Sequence, residues 1–219
     1  MAKDLAIVLN NGSLNSAVVT ALAAQRFRPV MVFVETTAKT GSRARAAYEQ
    51  QAAHFKPYRE HTLAMPFLST LQAPGAAAAQ SADPRQGGML PGQLTDLLPI
   101  VAIAARYGAF YQASAVYLGL RVGSGADELA QATEYVQIIS ELLQLPCGQP
   151  ELEVVTPLLE LEPWQVVDVG FQVKAPLDRG WNCLEETPEP CWACRGCKAR
   201  DAAFVQAAKA DPLRSFKKL

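Results

Sequence analysis

Four cysteines, Cys183, Cys191, Cys194 and Cys197, form a Cx7CxxCxxC run near the end of the chain. Thiolates two residues apart can turn a tight loop around one tetrahedral ion, so the run reads as a closed structural Zn²⁺ site. Disulfides, redox chemistry through a CxxC pair and chance are the alternatives. Two disulfides would suit a small secreted domain, whereas this chain has 219 residues, no signal-peptide core and a fifth cysteine, Cys147. A second group of chemistry-bearing residues lies near the start, where Asn10, Asn11, Gly12, Ser13, Leu14, Asn15 and Ser16 follow an apolar run. A glycine and short polar side chains opening a helix can wrap a phosphate with backbone N–H groups, helped by the positive helix end. Neither GK[ST] nor GxGxxG is present, and a plain helix-capping turn accounts for the same residues.

These groups need a scaffold, and composition bounds it. Half of the residues are hydrophobic, 20 Lys and Arg face 21 Asp and Glu, and the net charge is −1. One sizeable core is expected, with no global field to steer a polyanion. A nucleic-acid role would rest on the tail from Arg195 to Lys218, where Arg195, Lys198, Arg200, Lys209, Arg214, Lys217 and Lys218 outnumber Asp201 and Asp211; a solvated helix face explains these charges equally well. No apolar run of about 18 residues appears, so no membrane span and a cytoplasmic location are expected.

Leu5–Leu9 is a continuous apolar run, Leu14–Arg26 reads as a helix and Val30–Val34 as a second strand, which together make a βαβ unit. Helices are expected over Arg43–Phe55, Gln93–Tyr107, Asp127–Leu143 and Lys198–Lys209, and strands over Tyr58–Leu63, Val116–Leu120 and Glu153–Thr156. The sum predicts an α/β fold over residues 1–219 as one domain, a doubly wound, mostly parallel sheet, with a zinc-knuckle segment at 181–200 packed on it. The Ala, Gly, Pro, Ser and Gln of Thr70–Leu90 predict a surface loop or lid. His54 and His61 sit in no catalytic pattern, and Trp181 and Trp192 flank the thiols, where they would shield a metal.

The strand, SGGxDS-like loop, helix and later cysteine knuckle resemble the N-type ATP pyrophosphatases, with an adenine nucleotide alpha hydrolase-like fold. Within them the chain resembles the 7-cyano-7-deazaguanine synthase family (QueC, also called ExsB). Met65-Pro66-Phe67-Leu68 resembles that family's DLPFL, Leu90-Pro91-Gly92 its VPG, Thr156-Pro157-Leu158 through Gly170 its TPL strand and helix, and Trp181-Asn182-Cys183 its W-S-C. The resemblance implies ATP-dependent adenylation of the carboxylate of 7-carboxy-7-deazaguanine, displacement of AMP by ammonia, and a second activation that leaves a nitrile. It also implies Mg²⁺ on the phosphates and a homodimer. No membrane or nucleic-acid partner is expected.

Carried over, the loop serine falls on Asn11, the glycines on Gly12 and Ser13, the aspartate on Asn15 and the last serine on Ser16, with Leu14 between. Asn11, Ser13 and Asn15 depart from the pattern. Ser13 would carry strain of about 1 kcal/mol if its position needed a positive φ, and Asn15 has the shape of Asp without its charge. Gln93 and Leu94 stand where the family has Arg and Asn, so an Arg fork is missing there. Asp127 and Trp181 are the candidate substrate contacts, with a helix-start acid the plain alternative for Asp127. Lys198 and Arg200 would neutralise the metal-bound thiolates. Because the substitutions fall on ATP and substrate positions, a non-catalytic paralogue acting as a zinc-containing binding or scaffold protein is the alternative function.

Overall fold

The computed structural model describes residues 4–36, 42–70, 97–122 and 125–215. Five strands, β1 (Leu5–Leu9), β2 (Arg28–Glu35), β3 (Arg59–Ala64), β4 (Ala115–Leu118) and β5 (Glu153–Val155), form one parallel sheet in the order β3-β2-β1-β4-β5. The helices are α1 (Leu14–Arg26), α2 (Arg43–Phe55), α3 (Leu98–Tyr111), α4 (Ala126–Cys147), α5 (Pro163–Gln172), α6 (Arg195–Gln206) and the single turn α7 (Pro212–Ser215).

Alternation along β1 sends its side chains to two different cores, because neighbouring strand residues point to opposite faces. Ile7 and Leu9 join Val30, Val32 and Val116 under Val101, Ala104 and Ala105 of α3 and Ile139 and Leu143 of α4. Ala6 and Val8 join Tyr117 under Val18 and Val19 of α1, Val166 and Val167 of α5 and Phe204 of α6. Met31 and Phe33, in register beside that second face, pack on Tyr48 and Ala52 of α2. Burial on both faces is why the first strands read as unbroken apolar runs.

Strand order reverses between β1 and β4, which opens a crevice beyond their carboxyl ends, the place where open α/β sheets hold ligands. The expected elements are present with ends shifted by a few residues: α3 runs to Tyr111, and α6 begins at Arg195 rather than Lys198. The lid expected over 70–90 and the Pro91-Gly92-Gln93-Leu94 stretch lie outside the described residues, apart from Thr70, which ends a 3₁₀ turn begun at Pro66.

Candidate functional site

The first loop is ordered by its own short side chains. Asn10 is buried at the end of β1; its Nδ2 donates to Thr20 Oγ1 at 3.0 Å and Gln51 Oε1 at 2.9 Å, while its Oδ1 accepts from the Gly12 N–H at 2.8 Å. Gly12 has φ +76, and a Cβ there would lie 2.1 Å from the Ala44 carbonyl oxygen, so both conformation and space demand glycine. Ser13 is the N-cap of α1, with φ −76 and ψ 170, and its Oγ accepts from the Ser16 N–H at 3.3 Å. The left-handed strain considered for Ser13 is therefore absent: its backbone is extended, which any residue adopts. Asn11 Oδ1 collects two donors, the Ser13 N–H at 3.1 Å and Ser16 Oγ at 2.7 Å. Asn15 Nδ2 donates to the Gly119 carbonyl at the end of β4, 3.3 Å away. A carboxylate could not make that bond, so at this position the amide has a partner of its own.

Asn11, Ser13, Asn15 and Ser16 line a cavity of ≈ 470 Å³ at the β1/β4 crevice. Val34, Leu97, Ile100, Leu118 and Leu120 supply apolar walls, and Arg121 is the one charged residue among the described lining residues. Arg121 is 6% exposed, with Nη1 donating to Val122 O at 3.2 Å and Leu161 O at 3.5 Å. Burial lowers its pKa, and the nearby Glu162 carboxylate opposes that. Sequence reasoning looked for an arginine at Gln93 and missed this one. The available signal was its position, two residues beyond Gly119 at the carboxyl end of a strand flanking the reversal.

Asp127 lies exposed in the first turn of α4, and Trp181 lies elsewhere, so neither is among the residues lining this cavity. Trp181 instead lines a second cavity of ≈ 270 Å³ with Trp192, Arg43 and Arg179, and its backbone N–H donates to Gly12 O at 2.8 Å. Leu14 is buried as the first residue of α1.

The thiols of Cys183, Cys191, Cys194 and Cys197 lie within 4.8 Å of one another, and all are free of disulfides. Cys183 and Cys194 sulfurs are 3.8 Å apart, and Cys191 and Cys197 sulfurs 4.0 Å. These separations far exceed a disulfide bond of about 2.05 Å. They match the edge of about 3.8 Å of a tetrahedron with metal–sulfur bonds of about 2.3 Å. Backbone N–H groups of Leu184, Glu185, Cys191, Ala193 and Cys194 donate to the sulfurs at 3.3–3.5 Å. Those of Ala193 and Cys194 pull the Cys191 thiol down to about 6, whereas burial pushes Cys197 up. Four sulfur donors converging in this way could hold one metal ion.

Arg200 does not serve these thiols. Its Nε and Nη2 grip both oxygens of buried Asp211 at 2.7 Å, and its remaining donors reach Leu177 O, Gly180 O and Asn182 Oδ1. Arg214 pairs with Asp201 at 2.8 Å and lies 4.1 Å over the Trp192 ring, so two of the tail's cations are spent within the protein. Lys217 and Lys218 lie outside the described residues. Cys147, at the end of α4, packs on the core away from the other thiols.

The model of the QueC family, described as queuosine biosynthesis protein QueC, matches residues 5–208. Relatives named 7-cyano-7-deazaguanine synthase include that of Aliarcobacter butzleri, 24% identical over 95% of this chain and 94% of that one. That of Acidobacterium capsulatum is 25% identical over 96% of both chains. The solved NAD+ synthetase of Burkholderia pseudomallei matches with a TM-score of 0.42 at 13% identity, over 95% of this chain and 75% of that one.

Proposed function

Because the chain belongs to the queuosine biosynthesis protein QueC family, we propose that it is an ATP-dependent ligase converting 7-carboxy-7-deazaguanine, or a closely related carboxylated deazapurine, to its nitrile with ammonia. The observation that carries this reading is the cavity at the β1/β4 reversal. One end of it is the N-terminus of α1 with the Asn11–Ser16 loop, and its walls are apolar enough to take a flat base.

In this reading the Ser13 N–H and the hydroxyl of Ser16 hold the phosphates, and Gly12, packed against Ala44, sets the turn that presents them. Asn11 Oδ1, which collects the first two donors, marks where a phosphate oxygen would sit and turns aside when one enters. The substrate carboxylate attacks the α-phosphorus of ATP, and pyrophosphate leaves against the loop. Ammonia then displaces AMP to give an amide. A second activation of the amide oxygen and loss of AMP and a proton leave the nitrile. Mg²⁺ supplies charge neutralisation on the phosphates when bound. Asn15 and Ser16 are the nearby oxygen donors, and neither is anionic.

The four thiols hold structural Zn²⁺, in keeping with their tetrahedral spacing. Among the described residues no helix is long and apolar enough to cross a membrane. We take the protein to act as a cytoplasmic homodimer on small molecules. Trp181 and Asp127, the substrate contacts that the resemblance suggests, are not among the residues lining this cavity, and no substrate role is assigned to them here.

The test is incubation of purified protein with ATP, Mg²⁺, ammonium and the carboxylated base, reading pyrophosphate and nitrile. Both are expected; neither, from protein shown to be folded and metal-loaded, overturns the ligase reading and leaves the scaffold alternative, which no specific observation favours.

A further inference from the structure

The side chain of Gln51, fully buried on α2, reaches three backbone carbonyls at once: its Nε2 donates to Gly12 O at 3.0 Å, Ser13 O at 3.2 Å and Arg179 O at 3.1 Å. Two N–H groups are thus shared among three oxygens. Its Oε1 accepts from Asn10 Nδ2 at 2.9 Å, which holds the amide in this orientation. Ser13 lines the cavity at the β1/β4 reversal and Gln51 does not, so Gln51 acts on the loop without facing a ligand. A trans peptide points its N–H and C=O in opposite directions. In the Gly12–Ser13 peptide, Gly12 O turns to Gln51 and to the backbone N–H of Trp181, and the Ser13 N–H turns the other way, to Asn11 Oδ1 on the cavity wall. The Gly12 N–H is already engaged by Asn10 Oδ1.

We infer that Gln51 is a positioning residue for phosphate binding, which fixes the Gly12–Ser13 peptide with its N–H toward the terminal phosphates of ATP. This rests on the ligase reading for the identity of the anion. A donor oriented before the ligand arrives needs no ordering at the moment of binding. The third carbonyl anchors the arrangement. Arg179 is followed by Gly180, where a Cβ would lie 2.8 Å from Leu14 Cα, and then by Asn182, which accepts from the Leu14 N–H. Gln51 therefore ties the loop to the segment that leads into the thiols. Without its N–H groups, three buried carbonyl oxygens would converge with fewer donors between them, and the loop would shift to relieve them.

Calorimetric titration of wild type, Q51M and I139V with ATP and Mg²⁺, with inorganic pyrophosphate and with 7-carboxy-7-deazaguanine tests this. Met keeps the length of Gln without its N–H groups, and I139V trims the core on the opposite face of the sheet. Q51M is expected to weaken ATP and pyrophosphate roughly tenfold and to leave the acid within about twofold of wild type, whereas I139V leaves all three near wild type. Q51N keeps the amide but is one methylene too short to reach all three oxygens, and it should weaken pyrophosphate in the same direction if Q51M does not fold. If the Gln51 variants bind pyrophosphate as wild type does, or if I139V loses as much as they do, the inference fails and the ligase reading stands. Wild type that binds ATP and pyrophosphate but forms no nitrile overturns the ligase reading alone, provided that the Gln51 variants show the selective loss. Wild type that binds neither overturns both.

Discussion

The backbone N–H of Leu14 donates to Oδ1 of Asn182, 3.3 Å away and 168 residues further along the chain. Asn182 immediately precedes Cys183, the first of the four thiols, and the same Oδ1 accepts from Arg200 Nη1 at 3.4 Å. The N-terminus of α1 is thereby attached to the cysteine segment and, through Arg200, to Asp211. Gly196 belongs to the same contact, since a Cβ there would collide with the Asn182 carbonyl. A metal at the thiols would brace the far wall of the loop that faces the cavity.

Asp211→Ala is expected to destabilise the protein by about 3–5 kcal/mol, because it strands a buried guanidinium whose two carboxylate bonds are each 2.7 Å. Urea denaturation measures this. A double replacement, Arg200→Met with Asp211→Leu, should cost less than the single change, since it removes both charges; equal costs would show that the pair does not act as a unit.

Protein purified without added zinc is expected to carry about one equivalent of metal, and Cys194→Ser to lower stability by several kcal/mol, because structural zinc contributes folding free energy directly. Metal analysis and thermal melting with and without chelator check both statements. A melting curve indifferent to chelator and to the substitution would remove zinc from the account.

Asn15→Asp, which restores the family's residue, is expected to destabilise the unliganded chain by about 1 kcal/mol, since it replaces the donor to Gly119 O with a carboxylate facing a carbonyl. Magnesium and ATP should recover part of that loss. Denaturation midpoints for both proteins, with and without ligand, give the comparison.

His61 donates to or accepts from Tyr111 Oη at 2.7 Å, and burial, with Arg59 adding to it, lowers its pKa. A folded-state pKa below the unfolded value of about 6.5 means that the unfolded chain binds the extra proton first. His61 therefore contributes stability that is present above about pH 6.5 and is lost as pH falls through the folded value. His61→Gln should flatten the decline of the urea midpoint between about pH 7 and pH 5; an unchanged slope would place the acid sensitivity elsewhere.

Local order is legible in the sequence. Apolar runs that are buried on both faces, as at Leu5–Leu9, can be read because burial acts on each residue in turn, and the short spacing of Cys191, Cys194 and Cys197 nearly determines their convergence because a turn of that length has few conformations. The Asn11–Ser16 loop was likewise recognisable by its residues and its place after a strand. What each of them does depended on distant partners. Only the folded chain shows that Ser13 has an extended backbone, that Asn15 bonds Gly119, or that Arg200 turns from the thiols to Asp211. Arg121 and Leu161 are 40 residues apart and meet because β4 and β5 are neighbours in the sheet. Chain-local preferences define elements, whereas burial and hydrogen-bond partners are properties of how the elements pack. The sequence by itself therefore determined the scaffold, the metal-binding run and the loop, and the tertiary structure decided which charges are buried and which of them reach the cavity.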